Sequence, residues 1–198
     1  MNISFILASQ SASRRAMLTA AGVPFDAVAA GVDEEAAKHS LAGLRPRDLA
    51  DALAELKALK VSARAPQALV LGSDSIVALA DGTLLDKPES RDQAADHLAR
   101  MSGTRVELWS AAVIAEGGAA VWRHVEAAKL HVRSLSPAFI QTYLDAEWPA
   151  IAGCVGCFRI EGPGAQLFTR IDGSQFTVLG LPLLNVLDYL RLREVIPS

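Results

Sequence analysis

The stretch that decides the fold is Ala-Leu-Val-Leu-Gly-Ser-Asp-Ser-Ile-Val-Ala-Leu, residues 68–79. Its apolar residues continue on both sides of a short polar interruption, Gly72 to Ser75, and this pattern predicts a strand in the interior of a sheet. A carboxylate in such a strand costs free energy unless it is paired, hydrogen-bonded or bound to a metal. Asp74 is therefore either a functional carboxylate or a strand-end residue that caps a neighbouring loop.

Helices and strands alternate outward from this stretch, and paired strands follow. The pattern predicts strands over residues 3–8, 23–30, 68–79, 84–85, 106–115 and 120–132, with further short strands after residue 157. It predicts helices over residues 14–21, 46–63, 90–101, 136–146 and 183–193, and an acidic turn at 33–35. Asp81-Gly82 and Gly117-Gly118 are typical of hairpin turns. The order predicts an α/β fold with a mixed, twisted sheet flanked by helices.

Length and composition narrow the class of protein. The chain has 198 residues, 51% of them hydrophobic, with a net charge of −3. We expect one domain over residues 1–198, or two intimate lobes, large enough to bury about 70% of its unfolded surface without disulfides or metal. The acidic balance argues against a nucleic acid polymer as partner. No apolar run is long enough for a membrane span. The apolar run over residues 3–8 is too short for the core of a secretion signal and has no positive charge ahead of it, so we expect a cytoplasmic protein.

Several polar groups could bind phosphate. Ser9 to Arg15 follow a strand and open a helix, where backbone N–H groups, hydroxyls and guanidinium groups favour anions; an ordinary serine-rich N-cap with solvated arginines is the alternative. The chain has no P-loop motif. Lys57 and Lys87 could each supply a point charge to a phosphate, although Lys57 could equally extend its ammonium to solvent and Lys87 could occupy a fixed loop position.

Two other clusters leave alternatives open. Glu34 and Glu35 could share a divalent cation with Asp74, or could form a solvated acidic turn. Cys154 and Cys157 could be a redox pair, half of a zinc site, or two small buried thiols.

Taken together, these segments resemble the Maf family of nucleotide pyrophosphatases. The matching pieces occur in family order along nearly the whole chain: Leu7-Ala8-Ser9-Gln10-Ser11 with Arg14-Arg15, Val32-Asp33-Glu34, Leu56-Lys57-Ala58, Gly72-Ser73-Asp74-Ser75, Asp86-Lys87-Pro88, Ser102-Gly103, Ile160-Glu161-Gly162 and Gly180-Leu181-Pro182-Leu183. The resemblance implies a two-lobed α/β fold with a central cleft, related to the inosine-triphosphate pyrophosphatases. It also implies a homodimer, and hydrolysis of nucleoside triphosphates to monophosphate and pyrophosphate with Mg²⁺ or Mn²⁺.

The resemblance also assigns roles to residues. By this likeness, Asp74 is the catalytic carboxylate and Glu34 joins it at the metal. The phosphates are held by Ser9, Arg14, Lys57 and Lys87. A triphosphate brings about four negative charges, so several cations are needed before carboxylates can approach it.

Base selection is expected to involve Ser13, Ser75 and Glu161. Family members resembling the dTTP- and UTP-selective branch carry Arg, Thr and Gln at these positions, and those resembling the 7-methyl-GTP branch carry Trp, Gln and Glu. The present set matches neither branch. Glu161, an acceptor when ionised, suits the N1–H and exocyclic amine of guanine. We therefore expect a small, adaptable pocket that accepts several bases or modified bases.

A second hypothesis comes from a different class of function. Because the family is linked to septum formation, the chain could be a nucleotide-sensing or protein-binding module that influences cell division without turnover. Metal-dependent release of pyrophosphate would distinguish an enzyme from such a module.

Overall fold

The computed structural model describes residues 4–197, so the predicted start of the first strand at residue 3 lies outside it. The strands are β1 (Phe5–Leu7), β2 (Asp26–Ala27), β3 (Leu69–Ala78), β4 (Leu84–Leu85), β5 (Arg105–Glu116), β6 (Ala119–Val132) and β7 (Phe168–Asp172). The helices are α1 (Ala12–Ala20), α2 (Glu34–Ser40), α3 (Pro46–Ser62), α4 (Arg91–Met101), α5 (Pro137–Glu147), α6 (Gln175–Val178) and α7 (Leu183–Leu192). Short 3₁₀ turns cover Ala150–Gly153, Val155–Cys157 and Pro163–Leu167.

The strands form one mixed sheet in the order β2-β1-β3-β5-β6-β7, with β4 paired to β3. Strand β1 is parallel to both β2 and β3, whereas β4 and β7 are antiparallel to β3 and β6. The parallel pairs need crossover connections, and the intervening helices supply them. The predicted α/β class with a mixed sheet flanked by helices is confirmed.

The chain divides into two compact units. The first contains the residues up to Ser75, the segment Ser110–Glu126 and the residues from Gln175 onward; the second contains Ile76–Trp109 and Ala127–Ser174. Strands β3, β5 and β6 each contribute residues to both units. No helix within residues 4–197 combines the length and the apolar character that crossing a bilayer requires.

In the first unit, β3 is covered on both faces. Leu69 and Leu71 pack into a core that includes Leu18 of α1 and residues of α7. Val70 points to the opposite face and packs with Val61 of α3. Because side chains alternate along a strand, positions 72 and 74 face α3, and positions 73 and 75 face the side of α1.

In the second unit, α4 and α5 pack together beside the 3₁₀ turn Val155–Cys157. The Tyr143 hydroxyl of α5 donates to the Cys157 carbonyl at 3.0 Å. Phe158 and Phe168 meet edge to face, with ring centroids 5.1 Å apart. These contacts fix the turns that follow α5.

Most predicted elements are confirmed to within a few residues, and three predictions are wrong. The acidic segment is a helix, because Asp33 caps it by accepting the Ala36 N–H at 3.0 Å. The strand predicted over 23–30 shrinks to Asp26–Ala27 at the edge of the sheet. The segment after Cys157 forms the Pro163–Leu167 turn and one strand, β7, instead of several strands.

Candidate active site

Gly72 brings helix α3 against the strand that carries Asp74. A Cβ atom at Gly72 would lie 2.1 Å from the Ala54 carbonyl oxygen and 2.5 Å from the Ala58 amide nitrogen. Only a residue without a side chain permits this approach. Since Asp74 faces the same side two residues later, its carboxylate is aimed at the helix, and Lys57 Nζ donates to Asp74 Oδ1 at 2.6 Å.

This ion pair is buried: Asp74 is 6% exposed and Lys57 is 7% exposed. Asp74 lies in mid-strand, so it is not a strand-end cap. The ammonium of Lys57 does not extend to solvent, because it also lies 2.7 Å from Glu34 Oε1, in the first turn of α2. One buried cation therefore bridges two carboxylates, each carried by a different element.

The donor set around Lys57 fits a divalent cation bound together with phosphate. Glu34 and Asp74 both approach a single atom, so their oxygens lie close enough to share one ion. Mg²⁺ is commonly held by one or two carboxylates and completes its octahedron with phosphate oxygens and water. Among residues 4–197 no group of three or more His, Cys, Asp and Glu is arranged to hold a metal ion. Glu35 is exposed.

Arg14 of α1 reaches the same part of the first unit. Its Nε donates to the Gly180 carbonyl at 2.7 Å, and its Nη2 donates to Ser75 Oγ at 3.0 Å. Its Nη1 donates to Ser9 Oγ at 3.3 Å. These acceptors are neutral oxygens, so they fix the guanidinium without neutralising its charge.

The surroundings of Arg14 shift the pKa of its guanidinium in opposite directions. The side chain is 8% exposed, and this burial lowers its pKa, whereas the charges of Asp74 and Glu34 raise it. A buried guanidinium remains protonated at neutral pH, because its ordinary pKa is so high. The first unit therefore holds two buried cations beside two carboxylates.

The turn between β1 and α1 is held by its own serines. Ser11 caps the helix by accepting the Arg14 N–H, and Ser9 Oγ accepts the Ser11 N–H at 3.2 Å. The hydroxyl of Ser13 donates to the Leu179 carbonyl at 2.9 Å. The segment predicted to bind phosphate is thus anchored both locally and to the chain before α7.

Lys87 and Glu161 belong to the second unit. The charges of both residues affect the pKa of the Cys154 thiol. Burial raises this pKa, the negative charge of Glu161 raises it further, and the positive charge of Lys87 lowers it. The two residues therefore lie near the same thiol. The loop that leads to Glu161 is tied down by Arg159, which binds Glu147 through two hydrogen bonds of 2.9 and 3.1 Å.

The two cysteines are protonated thiols; Cys157 is buried and Cys154 is partly exposed. Burial raises the pKa of Cys157 to about 12, and neighbouring Cys154 adds to the effect. The Cys157 thiol lies 3.4 Å from His97 Nδ1. A reactive thiol needs a lowered pKa. The structure therefore favours two unreactive thiols over a redox pair, although only Cys157 is buried and Cys154 is partly exposed. No zinc-like cluster accompanies them among residues 4–197.

Comparison with known proteins identifies the family. A sequence model of the Maf-like protein family matches residues 4–193. The chain belongs to the Maf family. This Maf-like chain is 51% identical to a protein from Sphingopyxis alaskensis named nucleoside triphosphate pyrophosphatase, over 99% of this chain and 100% of the relative. Proteins of the same name from Hyphomonas neptunium and Caulobacter vibrioides are 48% and 49% identical, over 100% and 94% of both chains.

The Maf-like chain brings together six of the residues singled out in its sequence. Lys57 contacts Glu34 and Asp74, Arg14 contacts Ser9 and Ser75, and Arg14 lies near enough to Asp74 and Glu34 for their charges to act on it. Ser13 belongs to the same unit but bonds to the Leu179 carbonyl, and Lys87 and Glu161 belong to the second unit. Three other residues support these six: nothing in the sequence indicates Ser110, and the sequence places Ser73 and Gly180 in motifs without revealing their contacts. Ser73 donates to the Gly180 carbonyl at 3.1 Å, and Ser110 contacts Ser75 at 2.9 Å. Gly180 lies in a predicted motif, but nothing local signals that its carbonyl accepts from Arg14.

Proposed function

We propose that this chain hydrolyses nucleoside triphosphates to nucleoside monophosphate and pyrophosphate. The observation that carries the proposal is the buried pair of Asp74 and Lys57, placed beside the buried guanidinium of Arg14. Burying two cations and the carboxylate of Asp74 costs free energy that a purely structural core would avoid. The names of the full-length relatives support the same activity.

Arg14 and Lys57 supply the positive charge that a triphosphate requires. The guanidinium is held by neutral acceptors, so its charge is available to phosphate oxygens. Ser9 adds a hydroxyl next to it. Lys87, carried by the second unit, is proposed to hold the phosphates as well, as the family resemblance implies.

Asp74 is proposed as the general base. Its carboxylate orients the attacking water and takes up its proton, while the ammonium of Lys57 keeps the carboxylate in place. Glu34 and Asp74 would hold a divalent metal, which would supply positive charge against the negative charge that develops on the phosphate groups. The leaving pyrophosphate then departs with the negative charge that the cations have balanced.

Base selection is proposed to depend mainly on Glu161. The hydroxyls of Ser13 and Ser75 already bond to other protein groups, the Leu179 carbonyl and Arg14. Glu161 presents acceptors that match the N1–H and amine of guanine. A panel of canonical and methylated triphosphates tests this; strict preference for dTTP and UTP would contradict it.

The activity is tested by pyrophosphate release with and without a chelator, using wild type, Asp74→Asn and the control Asp188→Asn, whose side chain is 78% exposed on α7. We expect metal-dependent release from the wild type and the control. Asp74→Asn should lose at least about 100-fold in kcat, because a positioned base contributes that much, and should keep its nucleotide affinity. Wild-type turnover in Asp74→Asn would remove this residue from the chemistry. Nucleotide binding by the wild type without turnover would favour the sensing module instead.

The homodimer and the cytoplasmic location stay predictions from the sequence. Light scattering on the purified chain measures the oligomeric state directly. Fractionation of cells that express it measures the location.

A further inference from the structure

Behind Arg14 lies a chain of hydroxyl groups that the proposed chemistry does not use. Arg14 Nη2 lies 3.0 Å from Ser75 Oγ, and Ser75 Oγ lies 2.9 Å from Ser110 Oγ. Ser110 Oγ in turn lies 2.8 Å from the Thr177 carbonyl oxygen. Ser110 and Thr177 have no exposed surface, so water does not compete for the bond between them, whereas Ser75 is partly exposed.

The donors and acceptors available in this chain of hydroxyl groups determine the direction of each hydrogen bond. The Thr177 carbonyl can only accept, so the single proton of Ser110 is donated to it. Ser110 must then accept from Ser75, and the guanidinium of Arg14 can only donate to Ser75. The bonds therefore all run from Arg14 toward Thr177, an arrangement in which each bond strengthens the next.

The far end of the chain is itself held in place. The Thr177 hydroxyl donates to the carboxylate of Glu126 on β6. Three residues later, Gly180 has a φ of +103°, a conformation that L side chains rarely adopt, and a Cβ there would lie 3.3 Å from Ser75 Oγ. The segment that accepts from Ser110 and Arg14 is thus packed directly against the chain of hydroxyls.

We propose that Ser110 is a positioning residue that acts through Ser75 to hold the guanidinium of Arg14 for phosphate. The inference rests on the proposed function, because it takes Arg14 as a phosphate ligand. It assigns to Ser110 a role that its sequence context does not suggest, and it makes the Ser75 hydroxyl part of the phosphate site. Changes in this pair should therefore affect every nucleotide equally, whatever its base.

Inorganic tripolyphosphate is the probe that separates these roles, because it carries phosphates and no base. Its affinity is measured by calorimetry with Mg²⁺ for wild type, Ser110→Ala, Ser75→Ala and the double variant. The second measurement is kcat/KM for one purine and one pyrimidine triphosphate. Ser62→Ala is the matched control, since Ser62 is also fully buried and accepts one hydrogen bond, from the Gly118 N–H at 3.0 Å.

We expect Ser110→Ala to weaken the binding of tripolyphosphate about 5- to 10-fold, the effect of losing one hydrogen bond between neutral groups. The same factor should appear in kcat/KM for both triphosphates, and Ser110→Thr, which keeps the hydroxyl, should restore most of it. The double variant should lose no more than Ser75→Ala alone, because both changes break one chain. Ser62→Ala should leave both measurements unchanged.

Unchanged tripolyphosphate affinity in Ser110→Ala, or a loss confined to one base, overturns the inference. If Ser110→Ala does not fold, Ser110→Cys replaces it, because a thiol has nearly the same volume as the hydroxyl but accepts hydrogen bonds only weakly. Unchanged tripolyphosphate affinity in Ser110→Cys, or a loss confined to one base, likewise overturns the inference. If the wild type binds tripolyphosphate but hydrolyses no triphosphate, the proposed function fails, and the affinities still decide the role of Ser110. If the wild type does not bind tripolyphosphate, both are wrong.

Discussion

A single methyl group at position 72 tests whether the packing of α3 sets the site. In Gly72→Ala the new Cβ would lie 2.1 Å from the Ala54 carbonyl oxygen, where real contacts stay above 3.0 Å. The obstacles are backbone atoms, the Ala54 oxygen and the Ala58 nitrogen, so no side chain can rotate away. The helix and the strand must separate by about 0.9 Å, the difference between 2.1 Å and 3.0 Å.

The size of the effect follows from this separation. Overpacking in a core costs about 1–3 kcal/mol, and obstruction by backbone places Gly72→Ala near the upper end. For a chain of this length, about 3 kcal/mol lowers Tm by roughly 6–12 °C. Lys57 directly precedes Ala58, so the shift also lengthens its 2.6 Å bond to Asp74 beyond hydrogen-bonding distance. A misplacement of about 1 Å costs roughly 100-fold in turnover.

The assay pairs thermal unfolding with pyrophosphate release. The matched control is Gly153→Ala, because Gly153 has no atom within 4 Å of its Cβ position and no left-handed φ. The control should keep wild-type activity and unfold at or slightly above the wild-type Tm. If Gly72→Ala matches Gly153→Ala in both measurements, the close approach of α3 is not what places Lys57 beside Asp74.

Three further predictions concern the second unit. Burial raises the pKa of Cys157 to about 12, and the pKa of Cys154 is also raised. At pH 8 the native protein should therefore react slowly with a disulfide reagent, and two thiols should be titrated once it is unfolded. Rapid labelling of the native protein that abolishes activity would instead support thiol chemistry. Burial lowers the pKa of His97 from 6.5, so the unfolded state binds this proton at a higher pH than the native state does. Below about pH 6.5, the Tm of the wild type should therefore fall with decreasing pH more steeply than the Tm of His97→Gln. Equal slopes would exclude His97 as the source of this pH dependence. Arg159→Ala leaves the carboxylate of Glu147, which is 4% exposed, without its bidentate partner. The free energy of unfolding, measured by chemical denaturation, should fall by about 2 kcal/mol, less than for a fully buried pair because Arg159 is partly solvated. An unchanged free energy of unfolding would show that water replaces the arginine.

The sequence predicted the regular elements well where the signal was local. The hairpin of β5 and β6 turns at Gly117-Gly118, whose φ values of +58° and +81° are those that such a turn requires. The start of α3 follows from Pro46, and Asp74 was found because a carboxylate interrupts an apolar strand. The missed helix α2 also had a local signal, since Asp33 followed by two acidic residues is a typical helix start.

The supporting contacts of the site had no such signal. Arg14 and Gly180 lie 166 positions apart, and Ser75 and Ser110 lie 35 apart. A serine in an apolar strand gives no indication of its partner, because the partner depends on which strands become neighbours. The bridge of Lys57 between Glu34 and Asp74 depends likewise on how closely α3 approaches β3, which Gly72 permits but does not by itself reveal.

The bond between Arg14 and the Gly180 carbonyl has a consequence for the folding pathway. Its two ends lie 166 positions apart, so it closes a long loop and forms only after the segments at both ends have met. Helix α1 can form earlier from its own local contacts, but its arginine is not oriented until the Gly180 segment has docked. A partly folded intermediate that lacks this contact should therefore be catalytically silent.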